Sequence, residues 1–303
     1  MGALGLRYRQ ARAPAQWLRW GRGEAASLGR EREDARSLVR GGAGATQVPM
    51  IQTLTRVVPF AALAALIAPA AVKAQDVPEP AALTVSGNVA VVSDYRFRGV
   101  SQTGGDIAVQ GGLTVTHQSG LYAGAWSSTI DFGKIGASAI YGGQEVDLTA
   151  GWSREIASGI TADVGLTYYL YPDGQGSKAN FFEPYASLAT TYGPARLKLG
   201  VNYAWAQGGL GGEHNVYLYG SADAAIPATP VTLTARLGWQ DGPLAGAWIA
   251  SGGARRQAWD WSLGANATVL RRLTLGVSYG GVSGPSLPGV TDDQVVASLM
   301  VTF

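Results

Sequence analysis

Residues 196 to 205 read Arg-Leu-Lys-Leu-Gly-Val-Asn-Tyr-Ala-Trp. Leu197, Leu199, Val201, Tyr203 and Trp205 share one parity, and Arg196, Lys198, Gly200, Asn202 and Ala204 share the other. Successive side chains of a β-strand point to opposite faces, so this stretch has one apolar face and one small or polar face. The same division recurs in 231 to 240, where Val231, Leu233, Ala235, Leu237 and Trp239 oppose Thr232, Thr234, Arg236, Gly238 and Gln240. It recurs again in 259 to 269, where Trp259, Trp261 and Leu263 lead the apolar set and Asp260, Ser262 and Gly264 the other.

Extending this reading outward predicts strands near 83–95, 107–117, 121–130, 144–153, 160–170, 181–191, 195–206, 214–224, 231–240, 257–269, 272–280 and 293–303. Twelve is an even number, and the lengths cluster near the roughly 9 to 11 residues with which a tilted strand crosses a bilayer. The connections alternate, with 96–106, 131–143, 171–180, 207–213, 241–256 and 281–292 long and the five between them short. That succession is the signature of an all-β, antiparallel, up-and-down transmembrane β-barrel.

Two features argue against a soluble β-sandwich. The small face carries Asp147, Asp163, Arg196, Lys198, Arg236, Asp260 and Arg272, and so many charges in a dry core would be severely desolvated. They are expected to line a wet lumen. Aromatic residues also gather at strand ends: Trp205, Trp239, Trp259, Trp261 and Tyr279 toward the long loops, Tyr122, Trp152 and Phe303 toward the short turns. Two such girdles match two membrane interfaces. The last segment places Val295, Ala297, Leu299, Val301 and Phe303 on one face, and its terminal aromatic resembles the signal that the bacterial barrel assembly machinery reads.

The chain has 303 residues, 47% of them apolar, with 43 glycines, no cysteine and 15% charged residues. Disordered, disulfide-framework and cysteine-ligated metal proteins are thereby excluded. Residues 1–49 hold nine arginines without periodicity and read as a basic, unpacked extension from a start assigned too far upstream. Residues 50–74, with Arg56, an apolar run from Val57 to Val72 and a small-residue ending at Ala74, read as a secretory signal peptide. A short linker, 75–82, then leads to a barrel over 83–303. From Gln75 onward 12 Lys and Arg face 17 Asp and Glu, so no nucleic-acid partner is expected.

The segment Ser86-Gly-Asn-Val-Ala-Val-Val-Ser-Asp-Tyr-Arg-Phe-Arg-Gly-Val-Ser-Gln102, followed by Val109-Gln-Gly-Gly112 and Ser119-Gly-Leu-Tyr-Ala-Gly-Ala-Trp-Ser128, resembles the TorF porin family, a family of conserved Gram-negative proteins. The resemblance covers 83–303 and implies an outer-membrane barrel. Within it, Asp94, Arg96 and Arg98 alternate with Tyr95 and Phe97, which puts three charges on one face and two rings on the other. Two readings stand: the charges form a selectivity element or latch at the pore mouth, or Asp94 pairs with an arginine to order the first loop while Gly99 turns the chain.

Enzyme chemistry lacks its parts. A nucleophilic hydrolase needs a positioned base, and the two histidines, His117 and His214, fall at opposite ends of the predicted barrel. There is no Gly-x-Ser-x-Gly, no histidine cluster for a metal and no cofactor motif. Gly208-Gly-Leu-Gly-Gly212 lacks the lysine of a phosphate loop. The expectation is therefore a porin giving passive passage to ions or small polar solutes, embedded in outer-membrane lipid and lipopolysaccharide. The alternative is a non-conducting structural or adhesive barrel acting through its loops, notably 241–256 with Arg255 and Arg256.

Overall fold

The computed structural model describes residues 82–303; the expected extension, the signal peptide and all but the last residue of the linker lie outside them. Twelve strands close into one antiparallel barrel. They are β1 (Leu83–Val92), β4 (Ala108–His117), β5 (Leu121–Thr129), β6 (Gln144–Ala157), β7 (Ile160–Leu170), β8 (Phe181–Tyr192), β9 (Ala195–Ala204), β10 (Asn215–Ala225), β11 (Val231–Asp241), β12 (Gln257–Val269), β13 (Leu273–Val282) and β14 (Gln294–Thr302). The other two strands, β2 (Arg96–Phe97) and β3 (Val100–Ser101), form a small hairpin inside the first long loop.

Each barrel strand pairs with its neighbour in sequence, and β1 closes on β14. The closing seam runs from Asn88 opposite Thr302 to Val92 opposite Ser298. It is extended by Gly87 and Phe303, whose amides and carbonyls exchange bonds of 2.9 and 3.0 Å. A Cβ on Gly87 would lie 2.6 Å from the Phe303 ring, so glycine lets that terminal ring lie across the seam. Full closure removes the open edges on which a sheet would otherwise aggregate.

Alternation sets the two surfaces. Val89, Val91, Leu199, Leu237, Leu263, Val277 and Leu299 are exposed on the outer wall, while their neighbours in sequence face the interior. A lysine or arginine on such a wall at mid-bilayer would cost about 2–4 kcal/mol. At the long-loop end, outward Tyr168 stacks on Phe182 at 4.1 Å, Phe182 lies over Trp205 at 6.1 Å, and Trp261 meets Tyr279 edge-on at 5.2 Å. At the short-turn end Trp152, Tyr192 and Phe303 ring the outside. Tyr122, expected in that girdle, points inward instead: Leu121 opens β5 on the outer wall, so the next residue must face the lumen.

The first strand is shorter than its predicted span of 83–95. Ser93 still bonds Ala297, but the chain then leaves the ladder, which cancels the alternation expected for 94–98. Tyr95 and Phe97 do not face outward. Tyr95 packs edge-on against Trp126 at 5.3 Å and Phe97 against Tyr169 at 5.8 Å, both within the barrel.

Candidate functional site

The barrel interior has two halves of different character. In the half nearer the long loops, the β2–β3 hairpin folds into the lumen. Asp94 anchors it: its carboxylate accepts from Arg96 Nε at 2.7 Å, Ser101 Oγ at 2.5 Å and Thr103 Oγ1 at 3.0 Å. Arg96 also donates to the carbonyls of Gly99 and Asp292, which ties the first loop to the sixth. The hairpin tip turns at Arg98 and Gly99, both with positive φ. A Cβ on Gly99 would sit 2.6 Å from Val282 on β13 and 3.2 Å from Asp260 on β12, so only glycine fits where the tip meets the wall.

Arg98 projects from that tip across the barrel to Glu183 on β8, 2.5 Å away, with both side chains buried. Glu183 also accepts from Tyr169 at 3.2 Å and Asn202 at 3.0 Å. The guanidinium lies 4.2 Å from the ring centre of Tyr217 on β10 and 4.5 Å from that of Phe97. Tyr217 in turn donates to Asp260 at 3.0 Å and accepts from Arg236 at 3.1 Å. One connected polar network thus spans the lumen from β8 to β12 through the inserted arginine.

Above it the loops form an aromatic roof. Phe132, Tyr171, Leu210 and Leu244 come from four different loops and join Phe97, Tyr169 and Phe181 in one apolar cluster. The rim is tied by Arg256, which bonds Glu213 at 2.7 Å and Asp241 at 2.9 Å. The Glu213 hydrogen bond comes first and Asp241 adds to it, and together they hold this guanidinium above its ordinary pKa.

The half nearer the short turns is built differently. Two tyrosines from strands three apart lie over a pair of glycines: Tyr122 of β5 over Gly151, and Tyr185 of β8 over Gly165. Their hydroxyls hydrogen-bond to each other, and Tyr122 donates to Asp163 at 2.7 Å. On the wall formed by β9 to β11, Tyr219 lies over Gly200, with Arg236 4.7 Å and Lys198 5.9 Å from its ring centre. Inward residues here, among them Arg196, Thr116 and Thr268, are exposed to the lumen rather than buried. A cavity of about 330 Å³ lies against the hairpin, bounded by Arg98, Gln110, Trp126, Arg236 and Ser278.

Asp147, Asp163, Arg196, Lys198, Arg236 and Asp260 all occupy inward positions on strands. Arg272, expected on a strand, lies one residue before β13 in an exposed turn. Asp94, Arg96 and Arg98 are brought together in the hairpin, where Asp94 and Arg96 order the loop and Arg98 crosses the lumen. Phe303 closes the seam. His117 bonds Ser119 at 2.8 Å beside a short turn, far from His214 in the fourth long loop. Sequence reasoning passed over Glu145 and Glu183, although both stand on the polar parity of their strands. It also missed Tyr185, Tyr217 and Tyr219: the first and last are marked only by the glycines opposite them, Gly165 and Gly200, and Tyr217, opposite Asn202 and Gln240, carries no such mark.

Among solved structures the barrel is similar to the NanC porin, at 12% identity and a TM-score of 0.49, over 73% of this chain and 99% of that one. It is similar to the KdgM porin at 10% identity and a TM-score of 0.47, over 72% and 98%. An outer membrane channel from Pseudomonas putida F1 matches at 14% identity and a TM-score of 0.43, over 77% and 99%. No curated protein sequence matches the chain. A family model described as a bacterial protein of unknown function, Gcw_chp, matches residues 77–300, and the chain belongs to that family.

Proposed function

We propose that this protein is an outer-membrane channel for passive passage of ions or small polar solutes, and that the first-loop hairpin is its plug. The observation that carries this reading is the coexistence of an apolar outer belt with an interior whose charged side chains are exposed to the lumen in the short-turn half. A soluble barrel has no use for the belt, and a purely structural one has no use for an accessible charged lumen. The resemblance of 86–128 to the TorF porin family belongs to the same reading. So do export through the 50–74 segment, long loops facing outward, and Phe303 as the strand end read by the barrel assembly machinery.

The test is planar-bilayer conductance of the full chain, checked first for the altered gel mobility of an unboiled folded barrel. Wild type is expected to give small discrete steps. A variant with residues 96–101 replaced by a short glycine-serine linker is expected to give steps several-fold larger. A folded barrel that conducts in neither form would overturn the channel reading. The structural or adhesive alternative draws on the interlocked roof. Its proposed basic contact is weakened by Arg256, which already holds two carboxylates.

A further inference from the structure

The cations of the interior fall into two groups by what they touch. Arg96 and Arg98 each hold a carboxylate at 2.7 and 2.5 Å. Lys198 and Arg236 form no salt bridge among the described residues; both are instead gathered over the face of Tyr219. Arg236 gives only its Nε to Tyr217. Arg196, one inward step from Lys198 toward the short turns, likewise forms no salt bridge among the described residues.

The acids of this region are arranged the other way. Asp163 accepts from Tyr122 and Asp260 from Tyr217. Asp223 stands opposite Arg196 in register without bonding it. Lys198, Arg236 and Arg196 thus make no salt bridge to a carboxylate among the described residues, in a lumen whose low-dielectric walls strengthen their field.

Register fixes the spacing. Lys198 is opposite Ser221, and Ser221 is opposite Arg236, so the two cations start two strand spacings apart, about 10 Å. Tyr219 follows on the same inward face of β10. Its ring cannot tilt away from the lumen wall without losing its seat on Gly200, where a Cβ would come within 2.5 Å of it. The result is a tyrosine ring with both cations near its face and the Ser221 hydroxyl on the same inward face of the strand.

We propose that Lys198, Arg236, Tyr219 and Ser221 form a binding station for small dianionic solutes, either dicarboxylates or phosphate esters. One anionic group would sit at each cation, with the solute backbone against the ring. The proposal rests on the channel reading for its purpose but not for its test.

The experiment is calorimetric titration of the full chain in detergent with succinate, with glycerol phosphate and with glucose. Saturable binding of at least one dianion is expected, weakened by added salt and at least ten-fold weaker in the Lys198→Gln/Arg236→Gln double variant. The tighter probe then identifies the source of the charge. Lack of binding by both dianions, equal binding of glucose, or unchanged binding in the double variant would overturn the proposal. Should the double variant not fold, Lys198→Gln alone must weaken binding at least three-fold, since Lys198 contributes only a ring contact to the wall. Binding that persists in a barrel without conductance would leave the station standing and remove the channel reading.

Discussion

The two halves of the lumen use the same residue types for opposite ends. Near the long loops, arginine and glutamate are buried, paired and crossed by an inserted hairpin. Near the short turns, arginine and lysine stay accessible and rest on tyrosine. Burial of a charge is tolerated only where a partner and further hydrogen bonds replace water. Arg98 and Glu183 meet that condition in part: Glu183 Oε2 takes Arg98, Tyr169 and Asn202 and the Tyr217 ring lies against the guanidinium, while Arg98 Nη1 and Glu183 Oε1 make no hydrogen bond among the described residues. Where the wall is wet, water solvates the cations and no partner is required. The difference teaches that charge on an inward strand face does not by itself mark a conducting surface; what each charge touches decides.

The largest effect should come from breaking the dry half. Glu183→Ala leaves the Arg98 guanidinium buried without its carboxylate, at a cost of about 3–5 kcal/mol. The midpoint of urea unfolding, followed by loss of the unboiled gel mobility, should drop accordingly. Replacing both partners with Arg98→Met and Glu183→Leu should recover most of that loss, because apolar groups of similar size need no water. An unchanged midpoint in Glu183→Ala would mean that the hairpin does not hold its charge in the lumen, and the contrast between the halves would collapse.

A smaller effect is expected from the wet half. Gly165→Ala would set a methyl 2.6 Å from a ring carbon of Tyr185 and 2.8 Å from the Ala150 carbonyl. Overpacking of this kind costs about 1–3 kcal/mol. Tyr185 would be pushed into the lumen and lose its bond to Tyr122, so conductance should fall along with stability. A drop in stability with full conductance would show that the tyrosine pair supports the wall without shaping the passage.

The barrel itself was legible because period-two alternation and the succession of long and short connections depend on local sequence alone. Ten of the twelve predicted segments end within two residues of the observed strands. The greatest departures are at β1, where the predicted alternation runs on through Asp94, and at β6, which continues to Ala157 through a bulge near Glu155. The plug was legible only in part. The pairing of Asp94 with an arginine and the turn at Gly99 follow from short-range chemistry, and the structure has both. That Arg98 would cross to Glu183 depends on a contact 85 residues away, which no local pattern encodes. Tyr122 was misjudged for a related reason: rings usually favour the lipid interface, and only its register against Gly151 reveals the exception.

A gain should come from the turn between β12 and β13. Leu270 and Arg271 both have positive φ there, the pattern of a type I′ turn, for which asparagine and glycine are the favoured pair. The Leu270→Asn/Arg271→Gly variant should stabilise the barrel by about 1 kcal/mol by relieving left-handed strain. Because this turn lies away from both the plug and the tyrosines, conductance and dianion binding should not move. Altered conductance would show that the short-turn rim takes part in passage.

The smallest effect belongs to the rim clamp, where Arg256 bridges Glu213 and Asp241 in partly exposed surroundings. Exposed pairs contribute under about 1 kcal/mol and are screened by salt, so Arg256→Gln should lower the unfolding midpoint slightly in dilute buffer and hardly at all in 1 M salt. Base should not imitate salt. The pKa of Arg256 is raised in the folded protein, so the stability it contributes is fully present below the ordinary arginine value and is lost only as pH rises through a still higher one. The same salt should leave the Arg98–Glu183 pair unaffected, since both side chains are buried. A dry pair and a wet pair of like composition would thus be separated by one titration, and equal salt sensitivity in both would show that water enters the plug.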